Sequence, residues 1–221
     1  MEIEFVHSVN LNEETAELVN KTAKENDIVL TTHGQYAINL NANEKFKLEA
    51  SKKRIIDACR IAEKADSWSI CYHMAYYMGA TDKKIVTDRV IKAAKEIVKK
   101  LQDEDNKIWL RPETGGKVSQ WGELNELIEL SKNCEQVLPC IDFAHHYARS
   151  LGKINKYEDW KEILIQLEKH LGRECLDNMH IHTEGIAFTK NGEKNHLNLN
   201  ECDINYKELV KVWKEFKIKG V

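Results

Sequence analysis

Proline, glycine and long apolar runs are all scarce in this chain. Only 2 prolines and 10 glycines occur among 221 residues, so disordered or low-complexity segments are not expected. No apolar run approaches the roughly 20 residues of a membrane-spanning helix. The amino terminus lacks the pattern of a secretory signal peptide, and we therefore expect a cytoplasmic protein. With 42% apolar residues the chain can bury a sizeable core, and we predict one domain over residues 1–221.

Paired cysteines and an excess of basic charge are also missing. None of the six cysteines has CxxC spacing, so we expect free and mostly buried thiols. The formal net charge is -3, which gives no overall sign of a nucleic-acid partner, although a local basic patch could still exist. No GxGxxG motif or P-loop follows any predicted strand, so nothing supports a nucleotide-binding sheet.

The chain does contain a regular alternation of strands and helices. Apolar and alternating runs predict six strands, over residues 1–6, 28–32, 67–72, 107–111, 137–141 and 176–182. Helical spacing predicts helices over 12–26, 45–64, a segment from Asp82 to Leu101, 123–131, 157–171 and 206–216. Because the crossovers are long enough for parallel pairing, we predict an α/β protein with a parallel sheet.

Five successive predicted strands end in side chains that can bind metals. These are His33, His73, Glu113, Asp142 together with His145, and His180; His196 follows in the next loop. In an open sheet, a ligand crevice draws mainly on the strands near one switch point, whereas a closed ring brings all strand ends around one mouth. A TIM-type (β/α) barrel therefore explains the pattern better than a doubly wound sheet.

The donor set indicates a catalytic metal centre with more than one ion. Imidazoles and carboxylates without thiolates suit Zn²⁺, Mn²⁺ or Fe²⁺. Enzymes that hydrolyse phosphodiesters commonly use two or three metal ions about 3.5–4 Å apart, and a glutamate such as Glu113 could bridge two of them. Three further histidines, His7, His146 and His170, are interpreted as structural or exposed.

Several motifs resemble those of endonuclease IV, the second family of apurinic/apyrimidinic endonucleases. The segments are Thr32–Leu40 (THGQYAINL), Arg111–Gly122 (RPETGGKVSQWG), Cys140–His145 (CIDFAH), Met179–His182 (MHIH) and His196–Leu199 (HLNL). The resemblance runs from about residue 3 to residue 217, and the variant RPET is most similar to archaeal-type, xylose-isomerase-like members. It implies a zinc enzyme of base excision repair that cleaves double-stranded DNA on the 5′ side of abasic sites.

The resemblance also implies roles for individual residues. His33 and His73 would bind a first zinc ion, and Glu113 would bridge it to a second ion and orient the attacking water. Asp142 and His180 would bind the second ion. His145 and His196 would bind a third. Tyr36 matches an aromatic residue in a loop that contacts DNA. Lys117, Ser119 and Gln120 lie in a glycine-rich loop that could approach phosphate.

The chain departs from the family pattern in three places. Lys194 stands where the family has an aspartate, and a protonated lysine cannot be a ligand, so the third site would need Glu193 instead. Met74–Tyr77 (MAYY) replaces a Pro-Gly pair after His73. Finally, the six predicted strands match strands two to seven of eight. A barrel that lacks its first and last strands would expose edges at 1–6 and 176–182, which favours self-association.

Two alternatives remain open from the sequence. A sugar isomerase or epimerase on the same barrel would need one metal with about two carboxylates and two histidines in a small closed pocket. A catalytically inactive metal-binding module would bind metal without turnover. The stoichiometry of bound metal separates the first alternative from the nuclease, for which two or three zinc ions are expected.

Overall fold

Six short parallel strands and the helices between them form an incomplete (β/α) ring. The computed structural model describes residues 1–221. In chain order the elements are β1 (Glu2–Glu4), α1 (Glu13–Glu25), β2 (Thr31–His33), α2 (Lys45–Lys64), β3 (Ser69–Tyr72), α3 (Lys83–Asp103), β4 (Trp109–Pro112), α4 (Leu124–Asn133), β5 (Cys140–Asp142), α5 (Phe143–Arg149), α6 (Tyr157–Leu171), α7 (Arg173–Asp177), β6 (His180–His182), β7 (Gly185–Thr189), β8 (Gly192–Leu197) and α8 (Tyr206–Phe216). The fold class predicted from the sequence is confirmed.

The parallel strands follow one another around the ring in chain order. Strands β1 to β4 form a four-stranded parallel sheet, and β5 pairs in parallel with β6. The two sheets are joined by single parallel bridges, Leu110 with Val137 and Glu113 with Cys140. All carboxyl ends of these strands therefore face the same side of the ring, where the site residues lie.

The edge of β6 is covered, which corrects the prediction of an unpaired edge at 176–182. After α8 the chain returns alongside β6, with a parallel bridge between Met179 and Gly220. The Met179 N–H donates to the Lys219 carbonyl and the Ile181 N–H to the Val221 carbonyl, both at 2.9 Å. No hydrogen bond joins this terminal segment to β1, so backbone pairing does not close the ring.

Polar caps fix the beginnings of several helices. The Asn12 side chain accepts from the Thr15 N–H at the start of α1, and Asp82 caps α3 by accepting from the Lys84 N–H. These caps satisfy backbone donors that have no partner inside the first turn. The bounds predicted for α2 and α6 agree with the structure, as do those of α8.

The core consists of two groups of buried apolar side chains. One has 27 buried residues, packed mainly between β1–β4 and α2–α3, and the other has 18, packed around α5, α6 and α8. Trp121 and Trp160 are the largest fully buried side chains. Each fully buried large aliphatic side chain contributes about 1.5–3 kcal/mol, so this packing fixes the strand ends in place. None of the helices is both long and apolar enough to cross a bilayer.

Three features differ from the sequence prediction. The predicted strand 176–182 begins as the short helix α7, and only His180–His182 is extended. Helix α5 starts directly after β5 because the Asp142 side chain caps it, accepting from the His145 N–H at 2.7 Å. The antiparallel hairpin of β7 and β8 was not predicted; Gly192, with φ +86°, allows its tight turn.

Candidate metal centre

A cavity of about 630 Å³ lies at the carboxyl ends of the strands. Its wall is mostly polar, and 3 of its 17 lining residues are hydrophobic. Six carboxylates face it: Glu2, Glu4, Glu113, Asp142, Glu184 and Glu193. So do five histidines, His33, His73, His145, His182 and His196. This polar mouth contains six of the seven metal ligands predicted from the sequence.

The first cluster in the mouth joins β2, β3 and β4. His33 Nε2 lies 3.3 Å from Glu113 Oε2, and His73 Nε2 lies 3.2 Å from the same oxygen. The other ring nitrogen of His33, Nδ1, donates to the Gly34 carbonyl at 2.8 Å. That bond to a carbonyl holds the ring in the orientation that metal-binding histidines usually adopt. These three residues are therefore arranged as one candidate ligand set.

The second cluster contains Glu113, Asp142 and His182, whereas His180, predicted from the sequence as a metal ligand, does not line the mouth. His182 Nδ1 lies 2.8 Å from Glu113 Oε1. His180 lies on the same face of β6, two residues further from the mouth, where it bonds to Ser69 and Glu2. Because side chains repeat every two residues along a strand, both histidines point inward, and the shortness of β6 brings the later one to the mouth.

The third cluster depends on the hairpin. His145 Nε2 lies 3.6 Å from Glu193 Oε2, and His196 Nε2 lies 3.7 Å from Glu193 Oε1. The Glu193 N–H donates to the Gly116 carbonyl, which fastens β8 to the glycine-rich loop. At Gly116 a Cβ would come within 2.6 Å of both Glu193 Oε2 and His145 Cδ2, so this close approach requires glycine. Glu184, at 3.6 Å from His196 Nε2, also borders the cluster.

The charges of the buried carboxylates favour a cation between them. Burial would raise the pKa of Glu113, but His73, His182 and His33 hold it well below its usual range. Burial and the charge of Glu113 raise the pKa of Asp142 well above its ordinary value. Burial and Asp142 raise the pKa of Glu184 to about 7. Asp142 and Glu184 thus resist ionisation unless a nearby cation supplies positive charge.

Unpartnered polar atoms give independent support for the fit to a metal. The buried atoms His73 Nδ1, His145 Nε2 and Glu184 Oε1 have no hydrogen-bond partner. Buried polar atoms are normally paired, and these three lie in or beside the mouth. His145 Nδ1 donates to the Thr114 carbonyl at 2.9 Å, which leaves the Nε2 lone pair directed at Glu193. The residues present therefore fit metal ions bound by imidazole and carboxylate.

The four residues predicted to contact DNA lie in different settings. Tyr36 is 49% exposed, and its ring packs edge-on against His33 with centroids 5.3 Å apart. Lys117 lines the cavity. Gln120 also lines it but is buried, and its Oε1 accepts from the Lys117 N–H at 2.9 Å. Ser119 is exposed beside the loop and does not line the mouth.

Sequence reasoning missed Glu2, Glu4, His182 and Glu184 as lining residues. Glu2 and Glu4 alternate along β1, so the period of two could have placed both on one face. Glu184 stands just after β6, the position that the strand-end argument already favoured. The three predicted structural histidines, His7, His146 and His170, lie outside the mouth.

Comparison with known proteins places this site in a family context. The whole chain, residues 1–221, matches the xylose isomerase-like TIM barrel family. An uncharacterized protein of Methanocaldococcus jannaschii is 38% identical over 220 residues, which is 100% of this chain and 79% of that protein. An apurinic-apyrimidinic endonuclease of Caenorhabditis elegans is 25% identical over 195 residues, covering 85% of this chain but only 48% of the endonuclease.

Solved structures share the fold at low sequence identity. A D-tagatose 3-epimerase-like protein superimposes with a TM-score of 0.76 and 19% identity over 100% of this chain and 79% of its own. Endonuclease IV from Thermus thermophilus gives a TM-score of 0.71 and 19% identity over 94% of this chain and 72% of its own. These likenesses bear on the fold, whereas the match over the full chain decides the family. The chain belongs to the xylose isomerase-like TIM barrel family.

Proposed function

We propose that this chain is a zinc-dependent endonuclease that hydrolyses the DNA backbone on the 5′ side of abasic sites. The observation that carries the proposal is the continuity of the three ligand clusters. Glu113 belongs to the first and second clusters through its two oxygens, and Asp142 lies 3.1 Å from His145 of the third. A row of sites connected in this way suits two or three neighbouring ions, the arrangement used for phosphodiester hydrolysis.

Each cluster would hold one ion with residues that the structure brings together. His33, His73 and Glu113 would hold the first, Glu113, Asp142 and His182 the second, and His145, Glu193 and His196 the third. When bound, such ions lower the pKa of water and neutralise charge on the phosphate and leaving group. Glu113, which is 2% exposed, would in addition orient the attacking water by accepting its hydrogen bond.

Without bound cations, the mouth would be unfavourable for a phosphate group. Its wall carries six carboxylates, whereas Lys117 is the only lysine or arginine that lines it. A DNA phosphate would therefore be repelled until cations occupy the clusters. This charge balance supports a substrate that enters only the metal-loaded site.

The outer rim offers contacts for a nucleotide turned out of the duplex. An abasic site costs little to extrude because it has no base pair to break. Tyr36, half-exposed beside His33, could stack on a neighbouring base, and Lys117 could pair with a phosphate. Ser119 and Gln120 would contribute by shaping and extending the same loop.

The direct test is cleavage of a duplex that carries one tetrahydrofuran abasic analogue, with zinc added. Wild-type protein should cut 5′ of the analogue, and Glu113→Gln should remove the activity. Glu17→Gln, on the exposed face of α1, serves as a control for a glutamate outside the mouth and should cut normally. The proposal fails if zinc-loaded wild-type protein leaves the duplex intact.

A sugar isomerase or epimerase is the second candidate, favoured by two observations. Glu113, Asp142 and His182 could hold a single ion with Glu184 nearby, and a D-tagatose 3-epimerase-like protein shares the fold. The two candidates differ in the number of ions lost when the mouth is disrupted. This number is the metal content of wild type minus that of the double variant Glu113→Gln with Asp142→Asn. A difference near one, with activity on a ketose sugar, would favour the epimerase. Metal binding without turnover on either substrate would indicate an inactive module.

A further inference from the structure

A separate group of metal-binding side chains lies inside the barrel, below the mouth. Cys71 of β3, Cys140 of β5, and His180 and His182 of β6 each direct one ligand atom to a common point, and these atoms all lie within 4.8 Å of one another. Cys71 and Cys140 are fully buried, and His180 is 1% exposed. The thiols come from alternate strands, whose inward side chains meet in one layer of a barrel.

We propose that these four side chains bind one divalent metal ion as a Cys2His2 site, with Zn²⁺ as the best match. Two thiolates and two imidazoles form the tetrahedral set that Zn²⁺ prefers. With Zn–S near 2.3 Å and Zn–N near 2.0–2.1 Å, ligand atoms around zinc lie roughly 3.4–3.8 Å apart. The four ligand atoms lie within 4.8 Å of one another, so small side-chain rotations would close them on an ion.

The surroundings of the cluster suit this role. His180 Nδ1 lies 2.9 Å from Ser69 Oγ, and its Nε2 lies 2.9 Å from Glu2 Oε2. An ion would replace one of these two contacts, and the other would keep the ring oriented. Oriented imidazoles of this kind are the usual companions of a bound ion. Glu2 and His182 also line the mouth, which gives an ion a path to the interior.

Arg111 of β4 stands opposite Cys71 of β3 in the register of the parallel sheet. Its side chain is completely buried and stacked on Trp68 and Trp109. Its Nη2 donates to Asn178, but Nε and Nη1 have no partner, and no carboxylate pairs with it. Burial raises the pKa of the Cys71 thiol well above its ordinary value, so a metal must displace its proton. The thiolate that results would give the unpaired guanidinium a negative partner.

The ion would connect parts of the barrel that backbone pairing holds only weakly. Cys71 belongs to the four-stranded sheet, whereas Cys140, His180 and His182 belong to the two-stranded one. The two sheets share single bridges instead of a continuous ladder. A bound ion would therefore crosslink them directly beneath the mouth, and we assign it a structural role.

His182 links the interior site to the mouth. Its Nδ1 faces Glu113 at 2.8 Å, and its Nε2 lies 3.9 Å from Cys71 Sγ and 3.0 Å from Glu2 Oε1. A neutral imidazole offers a lone pair on one nitrogen only. His182 can therefore serve both sites at once only after losing its remaining ring proton, as an imidazolate that bridges the interior ion and the second ion of the mouth, so the two sites are coupled through one ring.

Cobalt substitution tests the proposal without relying on nuclease activity. Wild-type protein is stripped with a chelator under reducing conditions and loaded with Co²⁺. Thiolate ligands should give a thiolate-to-cobalt charge-transfer band in the near ultraviolet, and zinc-edge X-ray absorption of the zinc form should contain sulfur neighbours. Both measurements use the wild-type chain, so they do not depend on the folding of any variant.

Variants then assign the band to this cluster. Cys71→Ser and Cys140→Ser should each abolish it and lower the bound metal by one ion per chain. Cys134→Ser, which changes another buried thiol at the end of α4, should leave both unchanged. Glu113→Gln should also keep the band while disturbing the mouth, so failure of the nuclease proposal would not affect this test.

Two results would overturn the proposal. The first is a cobalt-loaded wild-type protein without a thiolate band. The second is a count of four free thiols, not six, in protein that has been unfolded without reduction, with Cys71 and Cys140 as the missing pair. That count would mean that these two thiols form a disulfide and do not bind metal.

Discussion

His145 and Glu193 face each other across the mouth, with Nε2 and Oε2 3.6 Å apart. Lys194 stands where the resembling family has its aspartate, but it does not point into the mouth. Strand β8 turns the preceding residue, Glu193, inward and leaves Lys194 exposed. The hairpin thus supplies a carboxylate that the motif alone did not, and it does so by pairing with the loop at Gly116.

Replacing Glu193 should therefore remove the third ion. We expect Glu193→Gln to lower the affinity for that ion by at least about 10-fold. Losing a side chain that only supports a ligand already costs about 10-fold or more in metal affinity, and a direct ligand should cost at least as much. Cleavage of the abasic duplex should fall with it. Lys194→Ala is the matched control, and metal content with titration of the affinity is the measurement. Equal losses in both variants would contradict a ligand role for Glu193.

The placement of His182, and not His180, at the mouth predicts an ordered pair of effects. His182→Asn should lower cleavage by at least about 10-fold, because it removes a ligand next to Glu113 at the mouth. His180→Asn should have the smaller effect on cleavage, since His180 contacts Ser69 and Glu2 below the mouth. Cleavage rates at saturating zinc measure the order, and the reverse order would restore the assignment made from sequence.

Much of the fold could be predicted from sequence, because helices and strand order depend on local periodicity. The caps at Asn12 and Asp82 and the apolar stripes of the long helices placed their elements well. Glu113 and Asp142 could also be placed at the mouth from the sequence, because parallel strand order alone brings the ends of neighbouring strands together.

The remaining features depend on contacts that no local pattern encodes. The choice between His180 and His182 rests on where α7 ends and β6 begins, a shift of a few residues in a strand of three. The place of Glu193 depends on the hairpin that packs onto the Gly116 loop. The cysteines were expected to have no ligand role because the sequence separates Cys71 and Cys140 widely, and only the barrel brings them into one layer.

Metal binding should release protons in a pH-dependent manner. Burial lowers the pKa of His33, but its hydrogen bond and attraction to Glu113 outweigh this and raise the pKa to about 9. At pH 7 the metal-free His33 is protonated, so a metal must displace that proton, whereas near pH 10 the proton is already absent. The affinity of the first cluster should therefore rise between pH 7 and about 9.

Calorimetric titration in two buffers of different ionisation enthalpy counts those protons. At pH 7 wild type should release about one more proton per chain than His33→Asn, and at pH 10 the two counts should agree, because protons from Asp142 and Glu184 are common to both proteins. His73, whose pKa burial lowers to about 3, should not contribute, because it is already neutral. A proton count that is independent of pH would contradict the raised pKa of His33.

Gly34 tests how tightly the first cluster is supported. A Cβ on this residue would lie 1.6 Å from Cε1 of the buried Tyr72 ring, so Gly34→Ala forces the ring or β2 to move. We expect a loss of about 3 kcal/mol in the free energy of unfolding, at the upper end of overpacking costs. Denaturant unfolding of the metal-free protein measures it. In a Tyr72→Ala background the same change should cost much less, and simple additivity would argue against the clash.

The central claim is that the mouth binds several ions at once, and anomalous X-ray scattering at the zinc edge tests it most directly. Crystals of zinc-saturated protein should give two or three peaks about 3.5–4 Å from their neighbours. They should lie beside His33 and His73, between Glu113, Asp142 and His182, and between His145, Glu193 and His196. A single peak in the mouth at saturating zinc would contradict the multinuclear centre and transfer support to the sugar-epimerase alternative.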